Sequence, residues 1–193
     1  MLANLIPRGD SMKPKTRLLI GAICLGLLMF CQVVLVAAEK EPEVGLNIGY
    51  VSFSAPISAE DAGYLGLSGP SPFTLKDIKA PYVLVESFNT TCPHCMAQAP
   101  VLNALFAKVA SDPKLKDKIK FLSAAQGQDQ SAAMMWKRFN KVPFAVVPDP
   151  ESKLGKAMNF TPYPVSLLVD KSGKVLWVHV GTFENADEAL SGI

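Results

Sequence analysis

The sequence predicts an α/β domain with a mixed central sheet and helices on both faces. Three observations carry that prediction. Segments of strand and helix pattern alternate from Tyr82 to Phe160, which suits parallel strands joined by helical crossovers. Tyr82 to Phe88, YVLVESF, is a near-continuous apolar run of the kind that a sheet covered on both faces buries. Two later strands flank Asp170-Lys171-Ser172-Gly173, an antiparallel hairpin turn with Gly where a positive φ is tolerated.

The chain has 193 residues, 49% apolar and 19% charged, enough for one domain with a proper core. At its start Arg8, Lys13, Lys15 and Arg17 precede the apolar run Leu18 to Ala38, which ends in small residues. Residues 1–38 therefore read as an export signal peptide cleaved after Ala38. The run also reaches the length of about 20 residues that spans a bilayer, so a retained membrane anchor is the competing reading. Both readings put the globular part outside the cytoplasm, in the periplasm or cell envelope. Neither Cys24 nor Cys31 follows a lipoprotein pattern, and a start at Met12 would give a more compact signal. Residues 1–38 hold four Lys/Arg and one Asp, so the 19 basic and 17 acidic residues of the chain fall to 15 and 16 beyond them. With no basic face left, nucleic acid is not an expected partner.

Residues 39–72, rich in Gly, Pro and Ser, are expected to be a linker and N-terminal extension with a loosely structured strand or hairpin. Residues 73–193 are expected to form the domain. After the strand 82–88, apolar residues Met96, Ala99, Leu102, Leu105, Phe106 and Val109 mark one face of a helix that ends near Ser111 to Pro113. Pro100 lies within this helix and is expected to kink it. Lys118 to Ala125 reads as a strand, Gln130 to Asn140 as a helix, Pro143 to Asp149 as a short strand, and Glu151 to Phe160 as a helix stopped by Thr-Pro-Tyr-Pro. The strands 165–170 and 174–181 follow, and a short helix over 183–190 suggests a truncated C-terminus.

Chemistry concentrates in FNTTCPHCMAQAP, Phe88 to Pro100. Only Cys92 and Cys95 lie beyond the apolar N-terminal run, so they pair with each other or with a partner protein. A disulfide closing so short a loop would stabilise the fold by roughly 2 kcal/mol, against about 3 for a 15-residue loop, which makes a weak staple. A closed zinc site wants four ligands, and here one Cys pair is accompanied by His94 and a distant His179. Copper held by two thiolates stays open. A reacting pair fits best. A strand leading into a helix places Cys92 at the helix N-terminus, where free N–H groups and the macrodipole favour a thiolate. Pro93 falls at the first helical position, and His94 adds a donor or a positive charge. Cys95, one turn on and more buried, attacks the mixed disulfide formed by Cys92 and releases the partner. Glu86, a carboxylate in the apolar strand, is expected to be buried with a raised pKa suited to proton exchange; a solvent-facing strand carboxylate is the alternative.

These residues resemble the thioredoxin superfamily: Glu86 six positions before the first Cys, Cys92 and Cys95 on a strand-to-helix turn, Pro100 five after the second Cys, and Tyr163-Pro164 at the entry to VSLLVD. The resemblance implies a thioredoxin-like three-layer sandwich with one helix–strand insertion. It implies a cis Pro164 facing the cysteines, and a Tyr163 backbone that pairs with an incoming peptide. Cys-Pro-His-Cys is shared with DsbA, whereas the 68 residues between Cys95 and Pro164 look like exported TlpA and ResA-type thioredoxins. Thr91 stands where an aromatic is usual, altering the binding surface, and Gln98 stands where some cytochrome-maturation relatives carry a carboxylate. The implied function is thiol:disulfide exchange with exported protein thiol and disulfide substrates. It needs no cofactor beyond the redox-active Cys92–Cys95 disulfide, and a membrane or soluble redox partner recharges the pair. His94 inclines the direction towards oxidation. The alternatives are a reductase for cytochrome c or other envelope thiols, and a copper-handling binding module without turnover.

Overall fold

The computed structural model describes residues 40–193, so the signal or anchor expected at 1–38 lies outside the described residues. In order the elements are β1 (Ser52–Phe53), α1 (Ala59–Leu65), β2 (Phe73–Thr74), β3 (Tyr82–Phe88), α2 (Pro93–Ser111), β4 (Ile119–Gln126), α3 (Gln130–Phe139), β5 (Ala145–Asp149), α4 (Lys153–Met158), β6 (Val165–Asp170), β7 (Val175–Val180) and α5 (Ala186–Gly192). The main sheet runs β5-β4-β3-β6-β7. β3 pairs in parallel with β4 and antiparallel with β6, so the strand that leads to the cysteines lies at the centre.

Alternation along β3 separates two cores. Val83 and Val85 turn to one face, where they meet Ile48, Phe53, Leu65, Phe73 and Ile78 from the N-terminal segment and Leu154 and Met158 of α4. Leu84 and Phe88 turn to the other, against Ala99, Leu102, Leu105 and Val109 of α2, Trp136 of α3 and Ala189 of α5. Each buried Leu or Val contributes about 1.5–3 kcal/mol relative to exposure. Phe106, Phe121 and Phe144 pack ring to ring at 5.3–5.6 Å beneath α2. Helix α2 continues through Pro100 from Pro93 to Ser111.

Two expectations are corrected. The strand pair at 52–53 and 73–74 exists, but it is not a hairpin, because helix α1 intervenes. Ser58 caps α1 by accepting from the Asp61 N–H (3.0 Å), and Gly66 ends it with φ 74°. The last helix begins at Ala186 rather than Phe183, because the Asn185 side chain accepts from the N–H groups of Asp187 and Glu188 (2.9 and 3.0 Å).

The N-terminal segment is fastened at both ends. At one end it crosses the β6–β7 turn, where Ile48 donates to the Gly173 carbonyl (2.8 Å). Gly173 has φ 89°, and a Cβ there would lie 2.1 Å from the Gly49 Cα, so both turn and crossing require glycine. At the other end Asp61 of α1, only 3% exposed, pairs with Lys137 of α3, whose ammonium also donates to the Phe144 carbonyl (2.8 Å).

Removing one member of so buried a pair strands the other charge. Lys137→Met is expected to lower stability by about 3 kcal/mol, or roughly 10 °C in Tm, while Asp61→Leu combined with Lys137→Met is less harmful than Lys137→Met alone. Thermal melts of the three proteins check this; an unchanged melt for Lys137→Met contradicts it.

Candidate active site

A side-chain turn delivers the chain from β3 into α2. Asn89 Oδ1 accepts from the Thr91 N–H (2.9 Å) and hydroxyl (2.8 Å), its amide donates to the Gln126 carbonyl (3.1 Å), and its own carbonyl accepts from the Cys92 N–H (3.2 Å). The Thr90 hydroxyl donates to Gln128 Oε1 (2.9 Å). Held in this way, Cys92 is the N-cap of α2, and its sulfur accepts from the Cys95 N–H (3.3 Å). Pro93 occupies the first helical position.

The two sulfurs differ in access in the order that the sequence predicts, though by less. Cys92 is 9% exposed and Cys95 is wholly buried, and both are free thiols. Burial pushes the Cys95 thiol well above its ordinary pKa; Cys92 and the charge of Glu86 add to the rise, while a backbone bond from Asn89 opposes it. Tyr163 precedes a cis peptide to Pro164, and its carbonyl lies 3.9 Å from the Cys92 sulfur. Pro164 is buried and Tyr163 half-exposed.

Glu86 is buried rather than turned to solvent, with 6% exposure. It points to the α2 face, as Leu84 and Phe88 do, and its carboxylate accepts from the Ser123 hydroxyl (2.5 Å). Loss of water pushes its pKa up from 4.5 to about 7, against the lowering effect of the Ser123 bond. His94 and Thr91 are exposed on the first turn and the loop, and His94 has no hydrogen-bond partner among the described residues. Gln98 is fully buried; its Oε1 accepts from the Phe183 N–H (3.0 Å) and ties α2 to the loop before α5. Among the described residues no three His, Cys, Asp or Glu side chains gather to hold a metal ion.

Sequence reasoning missed Asn89, Ser123 and Gln126. The one available signal was a polar residue inside an apolar strand, as in Phe-Leu-Ser-Ala-Ala and Pro-Val-Ser-Leu-Leu, where an unpaired hydroxyl would be costly.

The Redoxin family model matches residues 53–191. The thiol-disulfide oxidoreductase ResA of Bacillus cereus (strain ATCC 10987 / NRS 248) is 28% identical over 160 residues, which cover 76% of this chain and 88% of that protein. ResA of a second Bacillus cereus strain is 29% identical over 119 residues, covering 61% of this chain and 64% of the relative. Among solved structures, a thioredoxin-like protein from Aeropyrum pernix superposes with a TM-score of 0.53 at 15% identity, covering 91% of this chain and 96% of its own. That likeness concerns the fold, which is thioredoxin-like. The match to the family model spans both cysteines, Glu86 and Pro164, and the chain belongs to the Redoxin family.

Proposed function

We propose that the chain is a thiol:disulfide oxidoreductase that exchanges disulfides with exported proteins through Cys92 and Cys95. The observation that carries this reading is the asymmetry of the pair, an N-cap sulfur with 9% exposure and a wholly buried thiol beside a carboxylate. Relatives named thiol-disulfide oxidoreductases support it, and the apolar run 18–38 supports export.

Cys92, as thiolate, attacks a partner disulfide in line and forms a mixed disulfide, releasing the partner's first thiolate. Glu86 takes the proton from Cys95, which then attacks the Cys92 sulfur; the Cys92–Cys95 bond forms and the second partner thiolate leaves. In this direction the partner disulfide is reduced; run backwards, the same steps oxidise a dithiol substrate and leave Cys92 and Cys95 as thiols. An extended segment of the partner docks beside the Tyr163 carbonyl and Pro164, with Thr91, Pro93, His94 and Met96 exposed around the sulfur. His94 beside Cys92 favours oxidation, because stabilising the thiolate stabilises the reduced form and raises the potential.

Cys95→Ser is expected to accumulate mixed disulfides with protein partners, and Cys92→Ser to lose insulin reduction and thiol oxidation to the uncatalysed level. Retained turnover in Cys92→Ser would exclude the mechanism.

Glutathione redox buffers test direction: an oxidant equilibrates above about −200 mV and His94→Ala lowers the value, whereas a potential near −270 mV makes the chain a reductant.

Glu86 gives a pH dependence of known sign. Its folded pKa of about 7 lies above the ordinary 4.5, so its contribution to stability is fully present below about pH 4.5 and is lost as pH rises through 7. Glu86→Gln is expected to remove a decline on the order of 3 kcal/mol between pH 4.5 and 8. The same variant slows the Cys95 step by roughly 100-fold above pH 7, where Glu86 is ionised, and much less below pH 6. Denaturant titrations and single-turnover rates across pH check both; identical pH profiles for variant and parent would refute the role.

A further inference from the structure

Four strands put a polar side chain at the same level on the α2 face of the sheet. Glu86 of β3 stands opposite Ser123 of β4 and Ser166 of β6, and Ser166 stands opposite His179 of β7. Directly opposed residues of an antiparallel pair have Cβ atoms about 4.5–5.5 Å apart, so the row Ser123–Glu86–Ser166–His179 runs from the sheet centre to the edge strand. Apolar Leu84, Phe88, Leu168 and Trp177 flank it on the same face.

On this flank lie three buried polar atoms that have no hydrogen-bond partner among the described residues: Ser166 Oγ, His179 Nε2 and Gln98 Nε2. Ser166 and His179 are brought together by register. Gln98 arrives through Phe183, whose N–H donates to Gln98 Oε1 and whose ring stacks on the His179 imidazole at 4.0 Å between centroids. Buried polar atoms are ordinarily satisfied, and where protein supplies no partner an internal water does so. His179 is half-buried on the edge strand β7, with its Nε2 buried.

We propose that Ser166 and His179 carry protons between Glu86 and solvent at the β7 edge, through water held by Gln98 Nε2. The inference rests on the thiol-exchange reading above. In the mixed disulfide the partner covers Cys92 and the Tyr163 carbonyl, which closes the front of the site to solvent. Cys95 gives its proton to the Glu86 carboxylate as its sulfur attacks Cys92 and the partner thiolate departs. The carboxyl proton then passes to the Ser166 hydroxyl and its water, which both accept and donate, and on to the imidazole, which takes a proton on one nitrogen and gives one from the other. Glu86 is returned to its ionised form without the partner having to leave. The groups facing Glu86 are Ser123 from β4, Ser166 from β6 and the cysteines from α2, and no lysine or arginine forms an ion pair with it among the described residues. Ser166 and His179 are thus positioning residues that act through Glu86.

The test uses the reduced full chain and an aromatic disulfide that releases one coloured thiolate when Cys92 attacks and a second when Cys95 resolves. Ser166→Ala and His179→Phe, which keeps the ring stack, are expected to slow the second release about 5- to 10-fold below pH 7, where Glu86 must first lose its own proton through the relay before it can take that of Cys95. Both are expected to enlarge its solvent isotope effect and to leave the first release unchanged. Ser166→Thr, which keeps the hydroxyl, restores the second rate. A second release with parental rate, pH profile and isotope effect in both Ser166→Ala and His179→Phe overturns the proposal. So does a failure of Ser166→Thr to restore a rate lost in Ser166→Ala. Absence of the first release in the parent chain would instead defeat the thiol-exchange reading itself.

Discussion

Taking the Glu86 carboxylate out of water is the constraint around which the site is arranged. A buried carboxylate is tolerated only where it is neutral or hydrogen-bonded, and Glu86 is given one serine hydroxyl and a pKa near neutrality rather than a compensating cation. That choice dictates its place. The central strand leads directly into α2 and lies between β4 and β6, so its Glu86 has a serine opposite it on each side, Ser123 and Ser166. The strand therefore cannot be wholly apolar, and the apolar residues that alternate with Glu86 on both faces must make up the lost burial.

The second requirement is that two segments distant in sequence meet at Cys92: the turn 89–91 and the Tyr163-Pro164 loop. One buried residue joins them. The Gln126 carbonyl accepts from Asn89, its Oε1 accepts from the Ser87 hydroxyl (2.8 Å), and its amide donates to the Thr161 carbonyl (2.8 Å). Helix α4 makes room for that side chain, since a Cβ on Gly155 would lie 2.8 Å from Gln126 Oε1. Asp149 caps the same helix by accepting from the N–H groups of Lys153 and Leu154 (2.8 and 3.1 Å). Helix α4 and the end of β5 are thus bonded into the frame that joins the turn before Cys92 to the segment before Pro164.

Legibility followed the range of the interaction. Strand β3, both strands of the hairpin and the start of α2 were readable because a near-continuous apolar run, a turn and Pro at the first helical position are local signals. Cys92, Cys95 and Glu86 were readable because their spacing lies within one strand–turn–helix unit. Helix α1 was hidden: in Ala-Glu-Asp-Ala-Gly-Tyr-Leu the buried residues are Asp61, Ala62 and Leu65, and what holds Asp61 inside is Lys137, 76 residues away. Ser123 and Gln126 were hidden for the same reason, since a serine or glutamine in a strand acquires meaning only when register sets its neighbour. Gln98 looked like a substitution at the site, whereas its side-chain oxygen ties α2 to Phe183.

The two thiols also bear on how a single pair avoids reacting in the wrong order. Were Cys95 ionised, it too could capture an incoming disulfide, and it would do so from within the buried cluster that holds Phe88 and Ala99. Burial prevents this twice over, by excluding the partner and by keeping Cys95 protonated until a base acts on it. Glu86, the base in the proposed reaction, is half-protonated near neutrality, so in that reaction the second attack is governed by Glu86 and not by the solvent. Order thus arises from desolvation at one sulfur and a hydrogen-bonded helix start at the other.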